Sequence, residues 1–344
     1  MRSRVEGFRY ELLDNNDNIL GDLHGVEPGG NLAFSVYTAI KGTGAITIVG
    51  KNSLRDWGKH RIRISYVCGD LVEPLITAIP QIPILRAEPT TTTVELGLAD
   101  KLLIPASDSF ETTFGLQAGT NIIDAVRTIL ATSGVASSTL AITDSDVTLA
   151  ASMVWDASDD EASKLRIIND LLDAAGYMSL WCDGLGRFRA EPYVEPLSRP
   201  VAWTFEDTPN RGSYLPDWQR EQNTIRANKF IAVQRAEPDT PPLVATAIDQ
   251  AAFDQLGWWF TVKEADIEAA NQEILDLIAA RRLDEITQTW EKFTISHPHI
   301  DGVTLNSAVS FANSRIGRSL RAVVQRQEWT LAAGGLIAST MRGI

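Results

Sequence analysis

The stretch from Ser158 to Glu191 constrains the chain most, because its hydrophobic period changes once, from helical to alternating. Ser158 and Glu161 hold the S-x-x-E spacing of a capping box, in which each side chain satisfies a backbone N–H left free by the first turn. The spacing therefore predicts a helix starting here. Leu165, Ile168, Leu172 and Ala175 recur at helical spacing and leave Lys164, Arg166, Asn169, Asp170 and Asp173 mostly off the stripe, so one face is expected to be buried, and Gly176 stops the helix. From Tyr177 the period is two, with Met178, Leu180 and Cys182 on one face and Tyr177, Ser179 and Trp181 on the other. Asp183-Gly184, with Gly186 nearby, predicts the positive φ angles of a tight turn. Arg187 to Ala190 then alternates back and sets Phe188 and Ala190 against Leu180.

At 344 residues the chain exceeds the usual size of a single core, so two or three domains are expected. No segment approaches the roughly 18 uninterrupted apolar residues of a membrane span, and the basic N-terminus lacks the apolar run of a secretory signal, so synthesis in a cytosol is expected. The net charge of −13 opposes phosphate binding but suits a surface that DNA slides past. Cys68 and Cys182 each sit in an expected strand and read as buried thiols.

Residues 1–105 read as all-β, with strands at Glu11–Leu13, Ala45–Val49, Arg61–Val67 and Thr91–Leu96. Composition shifts near Pro105. Asn121 and Asp124 cap a helix with Ile122, Val126 and Ile129 as its stripe, ending at Ser133-Gly134, while Ala141–Thr143 and Val147–Leu149 fit strand or loop. Beyond Pro192, Pro196 and Pro200 the pattern is β again at Val201–Phe205 and Asn228–Val233, broken by Glu237–Pro242. A helix over 265–287 follows, with Ile267, Ile274, Leu277 and Ile278 expected to pack. Val303–Leu305, Arg321–Gln327 and Trp329–Leu331 finish the β pattern.

The phrase LLDAAGYMSLWCDGLGRFRAEPY, from Leu171, resembles the α/β middle domain of bacteriophage tail hub proteins. ELLDNNDNILGDLHGVEPGGNL, IKGTGAITIVG and RIRISYVCGD follow, in order, the first tube-like barrel of that family as it stands in actinobacterial phage minor tail proteins. The resemblance implies a mainly β α+β fold: a tube-like antiparallel barrel over 1–105, an α/β middle domain over 106–196, a second barrel from 197–244 and 291–344, and a helical insertion over 245–290 packing with the middle domain. It implies a homotrimeric structural protein at the tail tip of the virion, made in the host bacterial cytoplasm. Its expected partners are the distal tail or tail-tube protein, a tip or fibre protein and a tape measure protein, with genomic DNA passing unbound. Two similar barrels per chain would turn a trimer into a six-barrel ring that adapts a sixfold tube to a threefold tip.

Residue types able to carry chemistry have plainer readings. Asp14-Asn15-Asn16-Asp17-Asn18 is oxygen-rich but lacks the sixth-position glycine and the twelfth-position Glu of a calcium loop, where Gly25 falls, and reads as a turn. His297-Pro298-His299 lacks a third ligand and reads as a loop; Asp56 with His60 reads as a surface turn beside Trp57 and Gly58. Asp183 and Glu191 could face each other as a glycosidase pair, but turn and strand-end positions explain both. Gly115 to Asn121 precedes a helix without the Walker lysine and reads as capping. Trp258-Trp259-Phe260 reads as core or subunit contact. No catalytic, cofactor or metal site is expected, and nothing singles out the subunit interface. The alternative to a hub is a virion-associated glycan-binding or glycan-hydrolysing protein, suggested by nine Trp and several acidic residues.

Overall fold

The computed structural model describes residues 6–158, 162–207, 213–215, 217–222, 227–234, 241–267, 272–287, 291–315 and 317–344. Two compact units share the chain: residues 1–218 with 294–341, and residues 219–293 with 342–344. Among the described residues no helix is long and apolar enough to cross a membrane.

The first part of the chain forms β1 (Glu6–Leu13), β2 (Ile19–Asp22), β3 (Gly30–Ser35), β4 (Gly42–Val49), β5 (Arg61–Cys68), β6 (Leu71–Ala87) and β7 (Thr92–Asp100). The next part gives α1 (Leu103–Ala106), β8 (Phe114–Leu116), α2 (Ile122–Thr132), β9 (Leu140–Ile142), β10 (Met153–Trp155), α3 (Lys164–Ala174), β11 (Trp181–Cys182) and β12 (Phe188–Ala190). Then come β13 (Trp203–Glu206), β14 (Trp218–Gln222), β15 (Lys229–Gln234), β16 (Val244–Ile248), α4 (Gln250–Leu256), β17 (Thr261–Ile267) and α5 (Gln272–Thr287). The chain closes with β18 (Glu291–His297), β19 (Ala308–Asn313), β20 (Arg318–Leu331) and β21 (Ile337–Gly343). The fold is mainly β, with large antiparallel sheets.

In the larger unit the hydrogen-bonded path runs β18-β21-β20-β3-β4-β7-β6-β5-β1-β2, and β19 attaches β13 to β20. The β20–β3 ladder, from Arg326↔Ser35 to Leu331↔Gly30, thus links strands from the two ends of the sequence. Period-two alternation puts Leu32, Ile46, Ile48, Ile62, Ile64, Leu96 and Leu331 in one buried core.

A second core of this unit lies under α2 and α3 and takes in Leu180, Phe188 and Ala190. Asn121 caps α2 by accepting the Asp124 N–H at 3.0 Å, as its position predicts. Both helices end in a Schellman motif at a left-handed glycine. Val135 N–H bonds the Leu130 carbonyl at 3.1 Å beyond Gly134, and Tyr177 N–H bonds the Leu172 carbonyl at 2.8 Å beyond Gly176.

The start of α3 departs from expectation. Ser163, not Ser158, is its N-cap and accepts the Arg166 N–H at 3.3 Å, while Ser158 donates its hydroxyl to Asp156; Glu161 lies outside the described residues. The buried face is also wider than the predicted stripe and includes Ile167, Leu171 and Lys164, whose ammonium is held by Asp108 at 2.6 Å. Tyr177 and Leu180, placed on opposite faces by the alternation, are both buried. The Leu180 N–H goes to the Asn169 side chain at 2.9 Å instead of to a ladder, which shortens β11 to two residues and breaks the alternation. Val303–Leu305 is a turn rather than a strand, and the two strands expected from Arg321 are one, β20.

In the smaller unit β15 pairs antiparallel with β16 and parallel with β17. Helix α5 covers one face of this sheet through Leu275, Ala279 and Leu283 against Phe230, Ala232 and Ala245. The packing side is therefore not the predicted one: Leu277 is 66% exposed, and Ile267 belongs to β17. The Ile274 side chain, residues 268–271 and Glu237–Thr240 lie outside what is described.

Candidate functional site

The larger unit contains a partly open cavity of about 820 Å³ whose walls include Phe34, Leu75, Met178, Trp181, Leu305 and Trp329. Its lining comes from β3 and the β3–β4 turn, the start of β6, the β11–β12 region, residues 191–200, the turn before β19 and β20. Some of its polar groups are engaged, while the indole N–H groups of Trp181 and Trp329 are buried without a hydrogen-bond partner. Asp100 accepts the Gly42 N–H at 2.7 Å and the Leu102 N–H at 2.9 Å, and burial pushes its carboxyl up to about 6. Lys41 donates to the Val36 carbonyl at 3.1 Å, and burial lowers its pKa. Glu73 faces His299 at 2.7 Å.

The β11–β12 turn docks on the sheet through backbone. Thr77 Oγ1 donates to the Gly184 carbonyl at 2.9 Å, and a Cβ on Gly184 would fall 1.8 Å from the Pro74 oxygen. Asp183-Gly184 does not supply the positive φ expected of it; Gly186 does, at 77°. Gly184 is required instead by close approach. Beside the turn, Asp17 bridges Arg61 and Lys101, each at 2.6 Å, and the buried Lys101 ammonium sits 5.3 Å from the Phe188 ring centre. The sequence gives no sign of this junction, since its partners are distant along the chain.

The remaining candidates resolve individually. Asp14 accepts from Asn16 N–H, Asn18 N–H and the Asn18 side chain at 2.8 to 2.9 Å, and hydrogen bonding from Asn18 lowers its pKa, so the segment is the turn expected. His297 is not in a loop. It ends β18 fully buried, with Nδ1 2.7 Å from the Pro298 carbonyl and Nε2 2.8 Å from Ser339 Oγ, and burial lowers its pKa. His299 instead stacks on Tyr66 at 4.1 Å, so the two imidazoles serve different contacts.

Asp56 pairs with Lys59 at 2.9 Å in an exposed turn. Asp183 is held by Arg187 at 2.8 Å and Glu191 by Arg189 at 2.7 Å, which leaves neither carboxylate as the unpaired acid of a glycosidase pair. Burial pushes the Cys182 thiol well above its usual range, where it is a poor nucleophile. Among the described residues no group of three or more His, Cys, Asp or Glu could hold a metal.

Trp258, Trp259 and Phe260 are not core. They are partly exposed in the smaller unit, with Trp259 stacked on Phe253 at 4.2 Å. Buried Asn228 fixes them by donating to the Trp258 carbonyl at 2.9 Å and accepting the Phe260 N–H at 2.8 Å.

No protein-family model matches the sequence, and no curated protein is significantly similar to it. Solved structures do share the fold. The tail protein from Neisseria meningitidis MC58 superposes with a TM-score of 0.69 at 11% identity, covering 98% of this chain and 97% of that one. The prophage MuSo2 43 kDa tail protein from Shewanella oneidensis gives 0.66 at 12% identity and covers 98% of both chains. The prophage tail protein gp18 from Listeria monocytogenes EGD-e gives 0.56 at 13%, covering 96% of this chain and 94% of that one. The chain therefore has, over nearly its full length, the fold of phage tail proteins.

Proposed function

We propose that the chain is the structural hub at the tail tip, or baseplate, of a tailed bacteriophage. Three copies form a ring that joins the tail tube to a narrower tip and lets DNA through. The observation that carries this reading is the near-complete mutual coverage with tail proteins.

In this reading residues 1–105 form one tube-like barrel and 197–244 with 291–344 form the other. Residues 106–196 are the middle domain, and 245–290 are an insertion. A pair of related barrels per chain gives three copies six barrels, so one face of the ring can meet a sixfold distal tail or tube protein and the other a threefold tip or fibre protein. The tape measure protein would end at the same ring, and synthesis would take place in the host cytoplasm.

Size exclusion with light scattering on the purified chain, followed by electron microscopy of virions carrying an antibody label, tests the reading. A trimer and label confined to the tail tip are expected. A chain that stays monomeric at all concentrations, or label distributed along the tail shaft, overturns it.

A further inference from the structure

The β20-β3-β4-β7 ribbon has an outward face whose role rests on the hub reading above. One face of this ribbon is apolar core, occupied by Leu32, Ile46, Leu96 and Trp329. Because strand side chains alternate, the register fixes what lies on the other face. Thr330, Asn31, Ala45 and Gly97 form one row across the four strands. Glu328, Ala33, Thr43 and the buried Ala99 form the next, and Thr47 stands opposite Glu95.

Two properties set this face apart. Its side chains are mostly short, being hydroxyls, methyls and one amide, where a face turned to bulk solvent ordinarily carries long charged residues. Its charges also come in opposite-sign pairs. Arg326 lies 2.5 Å from Glu328, and Glu95 lies 3.5 Å from Arg86, so two arginines offset two glutamates in a chain whose net charge is −13.

We propose that this face lines the bore of the ring and is the wall past which duplex DNA moves. A wall with unpaired Lys or Arg would release counterions from the phosphates and hold the DNA. An acidic wall would repel it over about 8 Å at physiological salt. A hydrated wall of Thr, Asn, Ala and Gly with paired charges does neither, and its short side chains leave nothing projecting into the path. The chain's acidic surplus then belongs to other surfaces, where it serves solubility.

The test uses the full chain with Asn31→Lys, Thr43→Lys and Thr330→Lys together, all at exposed positions. The control carries Thr112→Lys, Ala131→Lys and Ser138→Lys, which add the same charge at exposed positions away from the ribbon. The probes are a short linear duplex and a covalently closed circular duplex. A closed ring admits DNA to its bore only by a free end, so the ribbon variant is expected to bind the linear probe about tenfold more tightly than the circle, with strong salt dependence. The control is expected to bind both alike, and the unsubstituted chain neither.

A ribbon variant that light scattering shows to be trimeric, yet binds both probes equally, overturns the bore assignment and leaves the hub reading standing. An unsubstituted chain that never trimerises overturns the hub reading, and the bore with it. If the triple variant fails to fold, Thr43→Lys alone is expected to show the same preference for the linear probe, and its absence in a folded trimer counts equally against the assignment.

Discussion

A Cβ placed on Gly184 would lie 1.8 Å from the carbonyl oxygen of Pro74, so the β11–β12 turn is pressed against strand β6 at a distance only glycine permits. The obstacle is backbone and cannot swing aside as a flexible side chain would. Gly184→Ala is expected to cost about 3 kcal/mol by forcing the turn off the sheet. Gly58→Ala, whose new methyl would meet only the Asp56 carboxylate at 3.6 Å, is the control. Thermal unfolding should show a clear fall in Tm for the first and little for the second; equal values would mean that the turn is not seated as described.

Next to that turn, Lys101 is almost wholly buried and depends on Asp17 for its counter-charge. Removing the acid strands a buried cation, whereas removing the cation leaves Asp17 still paired with Arg61. Asp17→Asn is therefore expected to destabilise by about 3 kcal/mol and Lys101→Met by less, with the double variant well short of the sum. Additive losses in denaturant unfolding would show that the two groups do not interact.

The helices were legible because each carries its signals within a short span. Asn121 with Gly134 brackets α2, and Gly176 closes α3. Ser158 misled because it has the S-x-x-E spacing that Ser163, with Arg166 three residues on, lacks, and the spacing alone does not say which serine meets a helix. Strand β6 was hidden by Pro74, Pro80 and Pro83, residues that argue against a strand. Two of them sit at irregularities in register, near Ile64/Ser65 and between Gln81 and Ile84, where a missing N–H does least harm. The β20–β3 ladder and the Asp17–Lys101 contact were illegible for another reason: alternation and charge say what kind of partner a residue needs, but not where in the chain it lies.

Helix α5 gives a test of a misread face. Leu277 was expected to pack but is 66% exposed, while Leu275 is fully buried against the β15–β16 sheet. Leu275→Asp places an unpaired charge in that core and should cost more than 3 kcal/mol, whereas Leu277→Asp should change stability by about 0.5 kcal/mol or less. Protease sensitivity of the segment around α5, compared between the two variants, reads the difference; equal sensitivity would put the buried face elsewhere.

Two buried groups in the larger unit should pull its acid stability in opposite directions. The Asp100 carboxyl is raised by burial from its ordinary value of 3.8 to about 6, so between those values the folded state binds the proton more readily than the unfolded chain. Its contribution to stability therefore improves as pH falls from above 6 towards 4, by about 3 kcal/mol in all at 1.36 kcal/mol per unit. The His297 imidazole is lowered by burial, so its contribution is present above the unfolded value of about 6.5 and is lost as pH falls below it. Asp100→Asn removes the first effect at the cost of one backbone hydrogen bond, because an amide oxygen cannot replace both carboxylate oxygens that accept from Gly42 and Leu102. Its stability relative to the unsubstituted chain should thus worsen progressively from pH 7 to pH 4. His297→Gln should do the reverse, its deficit shrinking over the same range. Denaturant unfolding of the three proteins at pH 7, 6, 5 and 4 decides the matter; parallel curves would mean that neither group titrates with the folding transition.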